Sequence, residues 1–522
     1  MSARWGTVTS ILICFLFISC AGYFASYQAI WVDETTQLSG LSLPLDIQLR
    51  WLLGKTDLQL GVPADRMPPL SYWAGSFWAA IFGLSETTMR WFGVFATLLA
   101  APALYLSGTM RGGTWGGLFV LTLVLLSPNT LIIAGEIRAY PLFLSLSAWS
   151  VWAFLRCVDP KSGTQTRRLV TLTILLLLTA YTHFFGIVFA GLLFISLLIE
   201  RIWSGRGVGQ LLSAGICGTV ALVGVIPFVV WSLNFSGGGD VANNPPLAEV
   251  AVAWTRLLFR VFLHGCMGVY PFILGAACLS ILGIASLAVF REIRMRPPAS
   301  GSWQGLFLLL PLLIAFFVLP ILDFWIASFA VLSNNYNLWM VPLAAVFISG
   351  AFACDQDNVV YQRCAKAFGL VLVASLLIGD AVLLRHAPLY SHSASEWLAD
   401  IWETERPIII HEGSGKWGSA YFGLHYLSDG KAIQLLAQND GTMWRIRPDG
   451  LVLIDDPVRY LWASDKTLHV LSFNLRNKDL SRLIRSEAHC GPDLESWDQR
   501  TDVRSYCAYN SSFVATYQAQ GQ

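Results

Sequence analysis

Long apolar runs, rather than alternating or amphipathic patterns, dominate the first three quarters of the chain. They lie near residues 9–30, 88–109, 115–134, 139–156, 168–186, 187–203, 208–233, 269–290, 303–322, 336–354 and 367–385. Each is apolar around its whole circumference, so each reads as a helix with no solvated face. A hydrocarbon core takes about 20 such residues, and the pattern therefore predicts about eleven transmembrane helices. The segment 69–83, "PLSYWAGSFWAAIFG", is a further apolar run, but it is short and a Pro-Pro pair opens it.

Parity decides how that short run is used. If Arg4 marks a cytoplasmic start, eleven spans put Arg111, the Arg156/Lys161/Arg167/Arg168 group, Arg201/Arg206, Arg291/Arg294/Arg296 and Arg363/Lys366 on the inside. A twelfth span at 69–83 would push all of them outside. The segment is therefore expected to be an interfacial helix on the outer face, with Tyr72, Trp73 and Trp78 at headgroup depth. The first run has a second reading as a cleaved signal, since "FISC" before Ala21 loosely resembles a lipoprotein cleavage site. Its apolar stretch continues to Ile30, which favours a span.

Composition agrees with a multi-spanning membrane protein: 55% of the residues are hydrophobic and 13% charged. The net charge of +1 gives no global field that would draw nucleic acid or an acidic partner. Near residue 386 the composition turns mixed and polar, which divides the chain into a membrane domain, 1–385, and a soluble domain, 386–522. An odd span count puts this tail outside, which is the periplasm if the cell is a Gram-negative bacterium. "RPIIIHEG" reads as a buried strand closed by Gly413 and "GSAYFGLHYL" as a helix on it, hence a small α/β domain. Cys490 and Cys507 are its two cysteines, and in an oxidising compartment they read as a disulfide, the alternative being two buried thiols. The other eight cysteines lie in or beside spans without metal-ligand spacing.

The same topology gathers the ionisable residues on one face. Asp33 and Glu34 in "QAIWVDETTQLSG" follow the first span; "GEIRAY", 135–140, lies at the outer turn between the third and fourth; "YTHFFG", 181–186, ends the fifth. The loops "NFSGGGDVANNPP" and "LSNNYN" are outside as well. Charged groups at a membrane boundary are costly enough to mark a candidate site.

"WVDE", "RMPPLSYW", "MRWFGVFATLLA", "LSPNTLIIAGEIRAYPL" and "YTHFFG" occur in an order and spacing that resembles the dolichyl-phosphate-mannose protein mannosyltransferase-like family, glycosyltransferase family 39, and the related aminoarabinose (lipid A) transferases. The resemblance covers about the first 190 residues; beyond them only hydropathy matches. It implies the C-type glycosyltransferase (GT-C) architecture, a sugar donor carried on a polyprenyl phosphate, and an acceptor hydroxyl that attacks the anomeric carbon with inversion.

Those expectations assign roles to the residues. A hydroxyl needs its proton taken, and Asp33 is the candidate base, with Glu34 orienting it or the acceptor; the plain alternative is that both acids merely end the first span. A leaving phosphate gains charge as the glycosidic bond breaks and needs a fixed cation, for which Arg138 is the candidate; the plain alternative is a structural pair with Glu136, although residues two apart do not face each other on a helix. Glu136 is a second sugar-side or acceptor-side carboxylate. Tyr140 either stacks on the sugar or anchors the interface. His183 either hydrogen-bonds substrate or satisfies a neighbouring helix. Arg66, with Arg50 and Lys55, and the i,i+4 pair Arg256 and Arg260 add cations for the donor phosphate or for anionic headgroups. No cofactor is implied, and no convergent acids beyond Asp33, Glu34 and Glu136 call for a divalent metal, although one is not excluded.

The chain departs from the family in two places. Many members read His-Pro-Pro where Met67-Pro68-Pro69 stands, and relatives often carry Arg-Tyr where this chain has Asn335-Tyr336. Asp323 and Asp380, near outer span ends, read as solvated or snorkelling groups, the alternative being extra ligands at the site. The acceptor is expected to be a glycolipid or polysaccharide, with protein Ser/Thr as the alternative. A lipid or glycan transporter, or a membrane scaffold, is the competing class; a transporter would show inverted repeats and midplane acids.

Overall fold

The computed structural model describes residues 3–28, 32–54, 65, 67–159, 165–205, 207–233, 254, 257, 271–294, 304–326, 335–353 and 359–386, together with seven strands between 408 and 518. The chain packs as two compact units. One holds residues 1–25, 66–235 and 239–384; the other holds 26–65, 236–238 and 385–522.

The first unit is helical. Its elements are α1 (Ala3–Tyr27), α4 (Leu70–Phe82), α5 (Glu86–Leu98), α6 (Ala101–Leu125), α7 (Pro128–Ala134), α8 (Tyr140–Val158), α9 (Gln165–Ala180), α10 (Phe185–Trp203), α11 (Val208–Leu233), α12 (Pro271–Arg294), α13 (Gln304–Ile326), α14 (Met340–Ser349), a 3-10 turn (Gly350–Phe352) and α15 (Val359–His386). Among the described residues, each apolar run read from the sequence coincides with helix over most of its length. Among the described residues, seven helical stretches are long and apolar enough to cross a membrane: Trp5–Ser26, Glu86–Leu125, Tyr140–Val158, Phe185–Trp203, Val208–Val230, Gly275–Glu292 and Val360–Arg385. Gly305–Ile321 and Met340–Phe352 are shorter apolar helices. At 13 residues, α4 is about 20 Å long, less than the ~30 Å of a hydrocarbon core.

The break expected between 109 and 115 is a glycine turn inside α6. Gly112 and Gly113 leave the helical region, and Gly113 takes φ +64°, a conformation that costs any other L-residue energy. The chain then doubles back. A Cβ on Gly108 would sit 2.5 Å from the Gly116 carbonyl, and one on Gly112 would collide with the carbonyl of Ser349, so bare glycine lets both backbones close. Small residues let helices approach in this way where lipid offers no hydrophobic drive.

The basic residues that parity assigned to one face hold helix ends together. Arg201 Nη2 donates to the Cys157 carbonyl at 2.8 Å, Arg168 Nη1 to the Arg156 carbonyl at 2.7 Å, and Arg291 Nη1 to the Gly350 carbonyl at 2.6 Å. Lys366 lies 5.8 Å from the Trp115 ring centroid. Cations suit the carbonyl ends of helices both by charge and as donors.

Asp380 differs from its sequence reading. It is buried in α15, with Oδ1 lacking a hydrogen-bond partner among the described residues, because that helix turns it into protein rather than toward its end. Of Asp323 only the helical backbone is described.

The second unit carries α2 (Val32–Leu41), α3 (Leu45–Leu52) and a seven-stranded sheet. Gln48 Nε2 of α3 donates to the Gly40 carbonyl of α2 at 2.9 Å. The strands are β1 (Ile408–His411), β2 (Leu435–Gln438), β3 (Leu451–Ile454), β4 (Thr467–Ser472), β5 (Trp497–Asp498), β6 (Val503–Ala508) and β7 (Ser512–Gln518), in the order β3-β2-β1-β4-β7-β6-β5. The β3-β2-β1-β4 half is parallel and the β4-β7-β6-β5 half antiparallel. Parallel pairs need long crossovers. The strand expected in "RPIIIHEG" is β1, while the helix expected in "GSAYFGLHYL" lies outside the described residues, as does Cys490. Cys507 lies on β6.

Candidate active site

Three segments of the helical unit converge on one place. The first is the loop that leaves α7. Ser127 starts that short helix by accepting the Thr130 amide at 3.2 Å, Pro128 fills its first position, and Gly135 closes it. The following residues, 136–139, are irregular, so "GEIRAY" is an extended turn rather than the helix on which two-apart residues would diverge. Glu136 and Tyr140 are buried and Arg138 is half-buried.

Helix α5 holds this turn from behind. Ser85 caps it, accepting the Thr88 amide. Arg90, buried one turn on, donates from Nη1 to the Gly135 carbonyl at 2.8 Å and is itself gripped by Glu86 Oε1, 2.8 Å from Nη2 and 3.1 Å from Nε. A Cβ on Gly93 would lie 2.5 Å from the Ala134 carbonyl and 3.2 Å from that of Glu136. The glycine therefore sets how near the turn can come.

The second segment is "YTHFFG". Helix α9 ends at Ala180 because the Thr182 and His183 amides both turn back to the Thr179 carbonyl, each at 3.2 Å. The Leu70 amide at the start of α4 donates to the Tyr181 carbonyl at 3.0 Å, which joins the Pro68-Pro69 entry to this turn. Tyr181 Oη donates to the Gly224 carbonyl at 2.7 Å.

The third is the entry to α14. Tyr336 brings its ring centroid to 5.2 Å from His183, 5.5 Å from Phe185 and 6.4 Å from Tyr140. Phe143 stacks on His183 at 4.8 Å, and Tyr140 lies 5.7 Å away. His183 thus stands in an aromatic enclosure, in the turn ahead of the Phe185–Trp203 span. Its Nδ1 accepts the Phe185 amide at 3.2 Å. That bond leaves Nε2 as the protonated nitrogen of a neutral ring. Burial first, and then the nearby Arg138 cation, together lower its pKa from 6.5 to about 3. The imidazole is a neutral hydrogen-bond donor, not a cation.

Glu136, Arg138, Tyr140 and His183 are therefore brought together in the helical unit. Asp33 and Glu34 belong to the second unit, in the first turn of α2, where acids favour the positive end of the helix. Glu34 is buried; of Asp33 the backbone is described. Arg66, Arg256 and Arg260 lie outside the described residues. Arg90, Gly93, Phe143 and Phe185 were not singled out from the sequence. A lone arginine inside the apolar "MRWFGVFATLLA" was the available signal for the first, and Tyr336 had been marked only as a departure from the family.

No family model and no curated protein matches the sequence. Among solved structures, the chain is similar to ArnT from Cupriavidus metallidurans bound to undecaprenyl phosphate, with a TM-score of 0.58 at 13% identity over 99% of this chain and 98% of that one. The apo form of that protein gives a TM-score of 0.55 at 14% identity over the same shares. An oligosaccharyltransferase from Archaeoglobus fulgidus gives 0.47 at 11% identity over 83% of this chain and 64% of that one. The chain thus shares its fold with ArnT along nearly the whole length of both proteins.

Proposed function

We propose that the protein is a membrane glycosyltransferase that moves a sugar from a polyprenyl-phosphate donor to a hydroxyl or phosphate of a glycolipid or polysaccharide, on the outer face of a bacterial inner membrane. The supporting observation is the meeting of Arg138 and Tyr140 with His183, Glu136 standing two residues before Arg138 in the same turn, on a fold shared with a protein solved with undecaprenyl phosphate.

In this reading the acceptor oxygen attacks the anomeric carbon from the side opposite the phosphate. The new C–O bond forms as the old one breaks, and the lipid phosphate leaves with the bonding electrons. Asp33 takes the acceptor proton, and Glu34 orients it. Arg138 meets the charge that grows on the leaving phosphate; such preorganised groups contribute most in a site that excludes water. His183 donates from Nε2 to a sugar or phosphate oxygen, Glu136 accepts from a sugar hydroxyl, and the rings of Tyr140 and Tyr336 supply flat apolar walls for the sugar. Arg66, Arg256 and Arg260 add positive charge toward the phosphate and headgroups. The tail, 386–522, is the extracytoplasmic domain, with Cys490 and Cys507 its disulfide.

The test is a deletion strain complemented with wild type or Asp33→Asn, its lipid A, surface polysaccharide and envelope proteins compared by mass spectrometry. A glycoform that returns with wild type and not with the folded Asp33→Asn variant supports the assignment. Full restoration by Asp33→Asn would remove Asp33 as base, and a change confined to envelope proteins would make the acceptor Ser/Thr.

A further inference from the structure

The buried guanidinium of Arg90 lies outside every role assigned so far. Its described hydrogen bonds reach Glu86, one turn earlier on its own helix, and the Gly135 carbonyl, 45 residues on. The second is the last residue before Glu136-Ile137-Arg138, and the same face of α5 presents Gly93 to the Ala134 and Glu136 carbonyls. A buried arginine with a fixed carboxylate partner is a rigid fork, and a charge-assisted bond to a carbonyl is among the stronger neutral-acceptor contacts. The turn it holds has no helical ladder of its own between 136 and 139. Its shape is therefore set from outside.

We infer that Arg90 is a positioning residue that acts through the Gly135 carbonyl to hold Arg138 where it meets the donor phosphate, with Gly93 setting the depth of the turn. This rests on the proposed role of Arg138 as the phosphate cation. It assigns no contact between Arg90 and substrate.

The test is a binding cycle with undecaprenyl phosphate as the probe, on the full-length protein in nanodiscs, reading both Kd and the bound fraction at saturation. Arg138→Ala is expected to raise Kd by about 10- to 100-fold, the range for losing one charged contact to phosphate. Arg90→Met is expected to raise Kd by a similar factor at unchanged saturation, Arg90→Lys to recover much of the loss, and Arg90→Met/Arg138→Ala to bind no more weakly than Arg138→Ala. A merely structural arginine would lower the saturating fraction and leave Kd alone. That result, or losses in the two single variants that multiply in the double, overturns the inference. If Arg90→Met does not fold, Gly93→Ala carries the test: its Cβ crowds the Ala134 carbonyl without changing charge, and an unaltered Kd there overturns the inference as well. Wild type that fails to bind the probe, or Arg138→Ala that binds like wild type, sinks the functional reading itself, whatever Arg90 does.

Discussion

Arg111 and Glu292 stand 181 residues apart in sequence, yet the Arg111 Nη2 lies 2.6 Å from the Glu292 Oε1, both side chains buried. The pair joins the glycine turn of α6 to the last turns of α12. Gly305 and Gly350 lie against it, and a Cβ at Gly350 would come within 2.7 Å of the Arg111 guanidinium. Two ions leave water here only because they meet each other.

Breaking the pair from one side strands a buried charge. Arg111→Met or Glu292→Leu alone is expected to cost about 3–5 kcal/mol, while the double substitution to apolar residues costs much less. Thermal unfolding of the purified protein in detergent would show it: two large drops in midpoint and a double variant nearer wild type. Drops that simply add would mean that the ions do not stabilise each other.

The neighbouring glycines separate sterics from backbone strain. Gly112→Ala drives a Cβ into the Ser349 carbonyl, whereas Gly113→Ala meets nothing within 4 Å but must adopt φ +64°. The first is expected to lose about 1–3 kcal/mol through overpacking and the second about 1 kcal/mol through conformation. Fluorescence-detected size-exclusion after a heat ramp would rank them, and equal stability of Gly112→Ala and wild type would contradict the close approach.

These relations mark where reading the sequence stopped. Apolar run length located helices α1 and α5 to α15, because in lipid an all-round apolar surface is the dominant signal. It also placed the turn at 110–114, since Gly112-Gly113 interrupts hydropathy and backbone alike. Glu136, Arg138, Tyr140 and His183 were legible as rare polar groups at the ends of apolar runs. Arg90 was not, because its partner is a backbone carbonyl, and carbonyls leave no trace in a residue pattern. Nor was the seat of Tyr336 against His183, which depends on how two distant helix ends pack.

For His183 the sign of the pH effect is fixed by its depressed pKa. Unfolded, the ring takes up a proton near pH 6.5; folded, it resists until about pH 3. Between these values the unfolded chain holds more protons, so stability is full above pH 6.5 and declines as pH falls through that window. His183→Gln is expected to flatten this part of the melting-temperature profile between pH 7.5 and 5. A wild-type profile with no more slope than the variant's would mean that the imidazole is not held neutral. In the same picture, transfer activity carries no inflection from His183 near neutrality.

Tyr336 faces His183, Phe185 and Tyr140 at once. Aromatic pairs contribute about 0.5–1.5 kcal/mol each beyond buried area. Tyr336→Ala is expected to lower the melting midpoint by several degrees and to raise KM for donor. Tyr336→Phe keeps the ring and is expected to keep stability. If Tyr336→Phe fell as far as Tyr336→Ala, the hydroxyl rather than the ring face would be the working part.

The ring of Tyr336 belongs to a part of the chain made long after the turn it covers. His183 emerges about 150 residues earlier and its α8 neighbours Tyr140 and Phe143 about 195 earlier, which at ribosomal speeds of about 5–20 residues per second is roughly 8–40 s of synthesis. Throughout that interval the enclosure around His183 lacks one wall. A nascent chain anchored in the membrane therefore carries Arg138 and Glu136 but not a finished pocket, and any chaperone or lipid that shields the open turn has a timed opening in which to act.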